Sequence, residues 1–292
     1  MGQAVEPDPH GEGRINVAHD WDVLTEVRAY YDRSTEAYLR CMGMSLQGGR
    51  ICLSGDDPDE RSSNLYLAAR ADLRPGQRVL DAGCGVCGPS MDIASAIPNL
   101  RIDAITISPV QAGLAKRFIA EHGLTQHIKI CVGDYHCLPF ADECFDRVVF
   151  FESSEHSYDR LRLFREAHRV LKPSGRLYIK AVFIEDRPLD AGERQVLAEG
   201  QKLYALRLST LAETTAAVVQ AGFSSMRSCA LDDIISTRHY AQAMVTGEPG
   251  DTRFTELGRL HIRPTTMHLR SPVHYGEVKA IKLTGVQSRE GS

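Results

Sequence analysis

The chain has 292 residues, of which 43% are hydrophobic and 25% charged, and its net charge is −4. This is ordinary globular composition, sufficient for one large domain or one domain with additions, and without a long basic run we expect no nucleic-acid partner. No apolar stretch approaches the roughly 20 residues of a membrane helix, so no membrane span is expected, and the eight cysteines are typical of a reducing cytoplasm rather than of a disulfide scaffold.

The N-terminal region is predicted to be a tail followed by helices. Residues 1–15 are rich in Gly, Pro and Asp, and this composition indicates a disordered tail. From Asp20 to Leu46 apolar residues recur at helical spacing, and Gly48 and Gly49 end the pattern. A polar stretch then precedes a second short helix, NLYLAARADL. We therefore predict an N-terminal helical lid over residues 16–72.

From Gln77 onwards predicted strands alternate with predicted helices. The strands are RVLDAGCG, LRIDAITI, IKICVGD, FDRVVFFES and RLYIKAVF, and the helices are PSMDIASAI, SPVQAGLAKRFIAEHGL and DRLRLFREAHRVLKPSG, which ends at a Pro/Gly stop. This alternation predicts an α/β fold with a parallel sheet that is covered on both faces. Ligand sites in such sheets lie beyond the carboxyl ends of the strands. Residues 73–184 are therefore the predicted core.

After Ile184 the alternation loosens. Two helical stretches, GERQVLAEGQKLYALR and STLAETTAAVVQAG, precede a predicted strand, FSSMRSCAL. HYAQAM is predicted to start a helix, residues 247–272 to be irregular, and GEVKAIKL to form the last strand. Residues 185–292 are thus expected to combine final sheet strands with a substrate cap over the pocket.

A glycine-rich turn follows the first strand of the predicted core. Residues 83–88 read G-x-G-x-x-G, a pattern that suits nicotinamide dinucleotides, flavins and S-adenosylmethionine alike. Asp81 lies directly before the turn, where a carboxylate would repel a diphosphate and attract an amino or sulfonium group. The sequence therefore favours S-adenosylmethionine, and a NAD-dependent oxidoreductase is the distant alternative.

The order of motifs around this turn resembles one enzyme family. DAGCG, TISPVQ, GDY, LPF-x-D-x-x-FDRV and RVLKPSG follow one another as in the class I S-adenosylmethionine-dependent methyltransferases, over about residues 76–184. The resemblance implies a Rossmann-like sheet, mostly parallel with an antiparallel last strand, and S-adenosylhomocysteine as a product. By position, it implies cofactor contacts from Asp81, Gly83, Gly85, Thr106, Gln111, Asp134, Tyr135, Phe151 and Tyr31.

Three of these positions carry specific expectations. Asp134 is expected to accept from the adenine amino group, with Tyr135 packed beside it. Many family members have an acidic residue at the end of the second strand for the ribose hydroxyls. This chain has Thr106 there, so Gln111 is the expected ribose partner.

Two motifs narrow the resemblance further. TISPVQ and FESSEH look like the subgroup of tocopherol, sterol and prenyl-diphosphate C-methyltransferases, and teleocidin-type C-methyltransferases belong to the same neighbourhood. This likeness implies an isoprenoid or prenylated small-molecule acceptor. Mg²⁺ is expected only if that acceptor carries a diphosphate.

Glu152 and His156 are the predicted catalytic residues. They follow an apolar strand, and because charged groups are costly to bury unless paired, we expect this strand end to face a pocket. If an alkene is methylated, a tertiary carbocation results, and Glu152 would remove the proton with His156 as partner or alternative base. Aromatic faces would stabilise the cation. Substrate contacts are predicted for Tyr30, Tyr38, Phe150, Tyr158, His239 and Tyr240.

Structural and functional alternatives stay open from sequence. Glu152 and His156 also suit purely structural roles, and Glu155 suits the start of a helix. An O- or N-methyltransferase of a small aromatic or amine metabolite shares the same fold and cofactor. The C-x-x-C of Cys84 and Cys87 has no second ligand pair, so no metal site is predicted. Because the N-terminal helix can reach a neighbouring subunit, we expect a homo-oligomer.

Overall fold

A computed structural model of the chain describes residues 17–51, 59–237 and 272–283. The predicted disordered tail, the helix start at HYAQAM, nearly all of the irregular segment and the candidate residues His239 and Tyr240 lie outside these ranges. None of the helices within the described ranges combines the length and apolar composition needed to cross a bilayer.

A seven-stranded sheet organises the protein. Its strands are β2 (Arg78–Ala82), β3 (Arg101–Thr106), β4 (Ile128–Val132), β5 (Phe145–Phe151), β6 (Leu171–Ile184), β7 (Ser224–Ala230) and β9 (Val273–Ile281). The order is β4-β3-β2-β5-β6-β9-β7, the first five strands are parallel, and β9 runs antiparallel to both of its neighbours. The predicted mostly parallel sheet with an antiparallel last strand is confirmed. A separate pair, β1 (Arg50–Ile51) and β8 (Ile235–Ser236), is antiparallel.

Seven helices accompany the sheet in the described residues. They are α1 (Val17–Met42), α2 (Glu60–Arg70), α3 (Gly88–Ala96), α4 (Pro109–Glu121), α5 (Arg160–Val170), α6 (Ala191–Leu203) and α7 (Leu211–Gln220). α1 ends four residues before the predicted end of its helical pattern. α5 also ends early, at Val170, and the chain enters β6 directly, because residues ahead of Pro173 disfavour helical backbone.

Apolar clusters cover both faces of the sheet. On one face Val79 and Leu100 pack with Leu67 of α2 and Ala115 of α4. On the other face a second cluster contains the buried side chains Phe145, Leu163, Phe164, Val218 and Val278. Because both faces are covered, the central strands are continuous apolar runs.

Helix α1 lies across the carboxyl ends of the strands. Val27 and Tyr38 of α1 form a third apolar cluster with Tyr204, which follows α6. Asp32 accepts a hydrogen bond from the Ser108 hydroxyl at the start of α4, with 2.5 Å between the oxygens. α1 is therefore attached to the core at a strand end and to α6, which is the position expected of a lid.

The segment after α1 packs so closely against the start of α3 that a side chain at Gly88 would not fit. A Cβ atom at Gly88 would lie 2.2 Å from the carbonyl oxygen of Met44, whereas one at Gly113 would meet nothing within 4 Å. We expect Gly88→Ala to lower the free energy of unfolding by about 1–3 kcal/mol and to expose residues 43–51 to protease. Gly113→Ala, the control within α4, should stabilise slightly. Equal melting temperatures and cleavage rates in the two variants would contradict this close contact.

Candidate active site

Two cavities lie under α1 at the carboxyl ends of the strands. The first has a volume of about 840 Å³ and is lined by the glycine turn and the ends of β2, β3 and β5. The second, about 990 Å³, lies among α1, α6 and β6. Tyr31, Leu46, Glu152 and His156 line both cavities. Ligands held in the two cavities would therefore meet at these side chains, two of which are the predicted catalytic pair.

The glycine turn requires residues without a side chain. Gly83 has φ of 88° and Gly85 has φ of 56°, a region that glycine adopts readily. A Cβ atom at Gly83 would also lie 2.4 Å from the Cβ of Ser153. The Ser153 hydroxyl donates to the carbonyl of Ala82, 2.5 Å away, which joins the end of β5 to the turn. The turn therefore presents bare backbone to the first cavity.

Asp81 is a buried carboxyl group in the first cavity. Its side chain accepts a hydrogen bond from the Ser90 hydroxyl at 2.6 Å, and 2% of the residue is exposed. Burial raises the pKa of Asp81 to about 6, although the Ser90 hydrogen bond acts in the opposite direction. A cationic ligand group beside it would favour the ionised form. The predicted contact between Asp81 and the methionine end of S-adenosylmethionine stays a prediction, which this environment supports.

Gln111 offers a hydrogen-bond donor to the same cavity. Its carbonyl oxygen accepts from the Thr106 hydroxyl at 2.7 Å, which fixes the orientation of the amide. The Gln111 amide nitrogen is buried, lacks a hydrogen-bond partner within the described residues, and belongs to a residue that lines the cavity. A ligand hydroxyl would satisfy this donor. The predicted contact between Gln111 and a ribose stays a prediction that this geometry supports. Thr106 orients Gln111 and also lines the cavity, so its predicted cofactor contact stays a prediction as well.

Asp134 is held ionised by partners that the sequence analysis missed. One oxygen accepts from the backbone and Nδ1 of His136, at 2.9 and 2.6 Å, and the other from the Tyr158 hydroxyl at 3.0 Å. Burial would raise the pKa of Asp134, but these hydrogen bonds hold it below its usual value. Tyr135 also lines the first cavity and donates to the carbonyl of Ser153 at 3.0 Å. In the sequence, the only indication of a role for His136 is its position two residues after Asp134.

Tyr31 and His156 form a dyad between the two cavities. The Tyr31 hydroxyl lies 2.7 Å from His156 Nε2, and His156 Nδ1 lies 3.0 Å from the carbonyl oxygen of Ala205. Since a carbonyl can only accept, Nδ1 carries the proton and Nε2 accepts from Tyr31. Burial lowers the pKa of His156 to about 4, so the imidazole is neutral at pH 7. The lone pair of Nε2 is thus available as an acceptor toward Tyr31, although burial disfavours the protonated imidazole.

Glu152 is paired with a buried lysine on the neighbouring strand. Its carboxylate contacts the ammonium of Lys180 and accepts from the amides of Gly48 and Gly49 at 2.7 and 3.3 Å. Lys180 also donates to Gln47 Oε1 at 3.1 Å and to the Gly49 carbonyl at 2.6 Å. Burial lowers the pKa of Lys180 well below its usual value, and the contact with Glu152 favours the charged form. Glu152 therefore stabilises the loop at Gly48 and Gly49 after α1, and its role as a base stays a prediction.

The second cavity combines tyrosines with one further acid. Tyr30, Tyr38, Tyr204 and Tyr275 line it, and the predicted substrate contacts of Tyr30 and Tyr38 stay predictions that this position supports. Glu155 also lines it, with 5% of the residue exposed, and accepts from the amide of Val182 at 2.9 Å. Burial raises the pKa of Glu155 to about 7, against the effect of this hydrogen bond. The sequence placed Glu155 at a helix start, but it belongs to a single helical turn, residues 154–156.

Two predicted substrate contacts need correction. Side chains alternate along β5, so Phe151 lines the first cavity while Phe150 points to the opposite face, where it packs against Tyr135 and Phe164. Tyr158 is hydrogen-bonded to Asp134 and stacked on His136. The described residues that line the two cavities include neither Phe150 nor Tyr158.

Comparison with known proteins agrees with this arrangement. Residues 80–179 match the family described as "Methyltransferase domain". A sterol 24-C-methyltransferase of Gibberella zeae is 33% identical over 150 residues, which are 51% of this chain and 39% of that protein. The (+)-O-methylkolavelool synthase of Herpetosiphon aurantiacus is 29% identical over 57% of this chain and 62% of its own length. The chain thus spans less than two thirds of either relative.

Solved structures share the fold over most of the chain. The [4+2]-cyclase SpnF superposes with a TM-score of 0.75 and 22% identity, covering 89% of this chain and 96% of its own. A geranyl diphosphate C-methyltransferase of Streptomyces coelicolor, in complex with Mg²⁺, geranyl diphosphate and S-adenosylhomocysteine, superposes with a TM-score of 0.67 and 16% identity, covering 89% of this chain and 98% of its own. These structures support the Rossmann-like methyltransferase fold.

Replacing Lys180 tests the buried pair. Lys180→Met leaves the Glu152 carboxylate without its cation, and we expect the free energy of unfolding in urea to fall by about 3–5 kcal/mol. Lys180→Met combined with Glu152→Gln should recover part of this loss. Lys172→Met is the matched control, since Lys172 pairs with Asp146 at a half-exposed position and should change stability by less than about 1 kcal/mol. Equal losses for Lys180→Met and Lys172→Met would contradict a structural role for the pair.

The ionisation of Asp81 predicts how cofactor binding changes with pH. Because its pKa is about 6 in the free protein, the carboxylate form is lost as the pH falls below 6. We expect the affinity for S-adenosylmethionine to fall roughly tenfold between pH 7 and pH 5. Calorimetry would measure this, with Asp81→Asn expected to bind weakly at both pH values.

Asp103→Asn serves as the control for this titration, because Asp103 pairs with Arg78 on the sheet away from the cavities. It should keep the pH dependence of the unmodified protein. Tight binding of NAD without binding of S-adenosylmethionine would refute the assignment of the first cavity.

Proposed function

We propose that this chain, whose residues 80–179 match the methyltransferase domain family, is a class I S-adenosylmethionine-dependent methyltransferase that methylates an alkene carbon of an isoprenoid or prenylated acceptor. The observation that carries the proposal is the junction of the two cavities. There Tyr31, Glu152 and His156 face both a cavity suited to the cofactor and a cavity walled by aromatic rings. The named activity of the sterol 24-C-methyltransferase relative supports methylation at carbon.

The residues of the first cavity suit S-adenosylmethionine along its whole length. Asp81 and the bare backbone of Gly83 and Gly85 would hold the methionine end, and the unsatisfied amide of Gln111 would bind the ribose. Asp134 and Tyr135 would contact the adenine. When bound, S-adenosylmethionine supplies an electrophilic methyl group. The protein contributes mainly by positioning the acceptor carbon in line with it.

The second cavity suits an acceptor that becomes a carbocation. The faces of Tyr30, Tyr38, Tyr204 and Tyr275 stabilise positive charge on the acceptor. Residues of α1 line the cavity, and by covering it they would limit the access of water, which would otherwise trap the cation. One proton must then leave a neighbouring carbon so that a double bond forms again.

Glu152 is the proposed acceptor of that proton, with His156 as its partner or alternative. The Glu152 carboxylate lies at the junction and is fixed there by Lys180 and by two backbone amides. His156 is neutral and reaches the junction through Tyr31. Both groups therefore lie beside the position where the new carbon–carbon bond would form.

O-methylation is the second candidate, and the Tyr31–His156 dyad is the observation that favours it. An acceptor hydroxyl at the junction would pass its proton to His156 Nε2, directly or through Tyr31. The relative named (+)-O-methylkolavelool synthase supports this alternative. The two candidates differ in their products, since only methylation of an alkene creates a cation that loses a proton from carbon.

Glu152→Gln separates the two candidates. Loss of the base should reduce turnover by about 100-fold or more while S-adenosylmethionine binding survives, and the remaining product should include alcohols or shifted alkenes. Product profiling by mass spectrometry, with a panel of prenyl acceptors, would measure this. Glu121→Gln, on the exposed side of α4, is the matched control and should act like the unmodified protein. Full turnover by Glu152→Gln would remove Glu152 from the mechanism, and a single methyl ether from both proteins would favour O-methylation.

A further inference from the structure

The second cavity contains one carboxyl group without a cationic partner. Among its described lining residues the charged side chains are Glu152 and Glu155, and Lys180 neutralises Glu152. In the described part of the chain no ion pair involves Glu155. Its carboxyl oxygens accept from the Val182 amide at 2.9 Å, lie 3.5 Å from the Ser154 hydroxyl and interact with its own backbone amide. Arg160 favours its ionised form from a distance. Glu155 is thus a buried acid with unused acceptor capacity.

We propose that the second cavity takes an acceptor whose polar end, an alcohol or an amine, donates a hydrogen bond to Glu155, and that it discriminates against an acceptor ending in a diphosphate. The proposal rests on the proposed function in taking this cavity as the acceptor site. It names the class of head group that the acceptor carries.

The electrostatics of the cavity support this choice. A buried carboxyl group with a free acceptor oxygen gains a hydrogen bond when a hydroxyl or ammonium group binds. A diphosphate would instead bring several negative charges to a buried acid in a medium of low dielectric constant. The ring faces of Tyr30, Tyr38 and Tyr204 suit both a prenyl chain and an ammonium group.

The shared fold does not decide the head group. The geranyl diphosphate C-methyltransferase of Streptomyces coelicolor has a similar backbone and a diphosphate ligand with Mg²⁺. At 16% identity that likeness concerns the fold, and substrate recognition depends on the side chains of each cavity. In this chain those side chains include Glu155 and five tyrosines.

Three probes with one hydrocarbon chain test the proposal. Geraniol, geranylamine and geranyl diphosphate with Mg²⁺ would be titrated calorimetrically at pH 7.5 into the full chain with S-adenosylhomocysteine, so that no methyl transfer is required. We expect the alcohol and the amine to bind at least tenfold more tightly than the diphosphate. In Glu155→Gln, the amine should lose at least tenfold in affinity, whereas the alcohol should change by less than threefold. Glu121→Gln is the control and should retain all three affinities.

Each outcome decides the proposal. Tighter binding of geranyl diphosphate than of the other two probes, equal effects of Glu155→Gln on all three, or no measurable binding of any probe would overturn it. Glu155→Ala and the melting temperature of each variant distinguish loss of the site from loss of the fold. Binding as expected without methyl transfer in a separate assay would uphold the head-group assignment while refuting the proposed function.

Discussion

The arrangement of the site depends on the buried ion pair between Lys180 and Glu152. An ammonium group on a strand that is covered on both faces is tolerated only with close acceptors, and Lys180 has Glu152 and two further oxygens. The same carboxylate binds the amides of Gly48 and Gly49, so a single cluster connects β5, β6 and the loop after α1. Glu152 lines both cavities, and its contacts with Lys180 and the loop are directional and charged. They fix the position of this boundary between the cavities more closely than apolar packing would.

Each cavity presents one buried acid that the protein itself does not neutralise. Asp81 has a serine hydroxyl as its partner and Glu155 a backbone amide, and burial raises the pKa of both. Asp134, in contrast, has His136 and Tyr158 and stays ionised. The free protein therefore holds two carboxyl groups whose ionised forms are less favourable than usual, and a ligand that supplies positive charge or a donor would stabilise them. Both binding events are expected to exchange protons with solvent.

The predictions that the structure confirmed rest on patterns within short segments of the sequence. The alternation of strands and helices and the turn at Asp81–Gly85 are encoded within short segments, so the sheet and the first cavity could be located from sequence alone. Lys180 and Glu155 could not be identified in this way. The role of Lys180 depends on its contact with Glu152, 28 residues away, and Glu155 lies in a single helical turn rather than at the start of a helix. Phe150 and Phe151 are neighbours in β5, so their side chains point to opposite faces of the sheet. A run of apolar residues does not indicate which of the two faces the cavity.

The position of β9 affects how the chain acquires its structure. Among the described strands β9 comes last in sequence, but it lies between β6 and β7 and pairs with both. Until residues 273–281 have left the ribosome, β6 has an unpaired edge and β7 has no sheet to join. While residues 185–281 are being made, the polypeptide therefore keeps an exposed strand edge on β6, a state prone to aggregation. Premature termination a few residues before β9 would leave a chain in which β6 and β7 lack the strand that joins them.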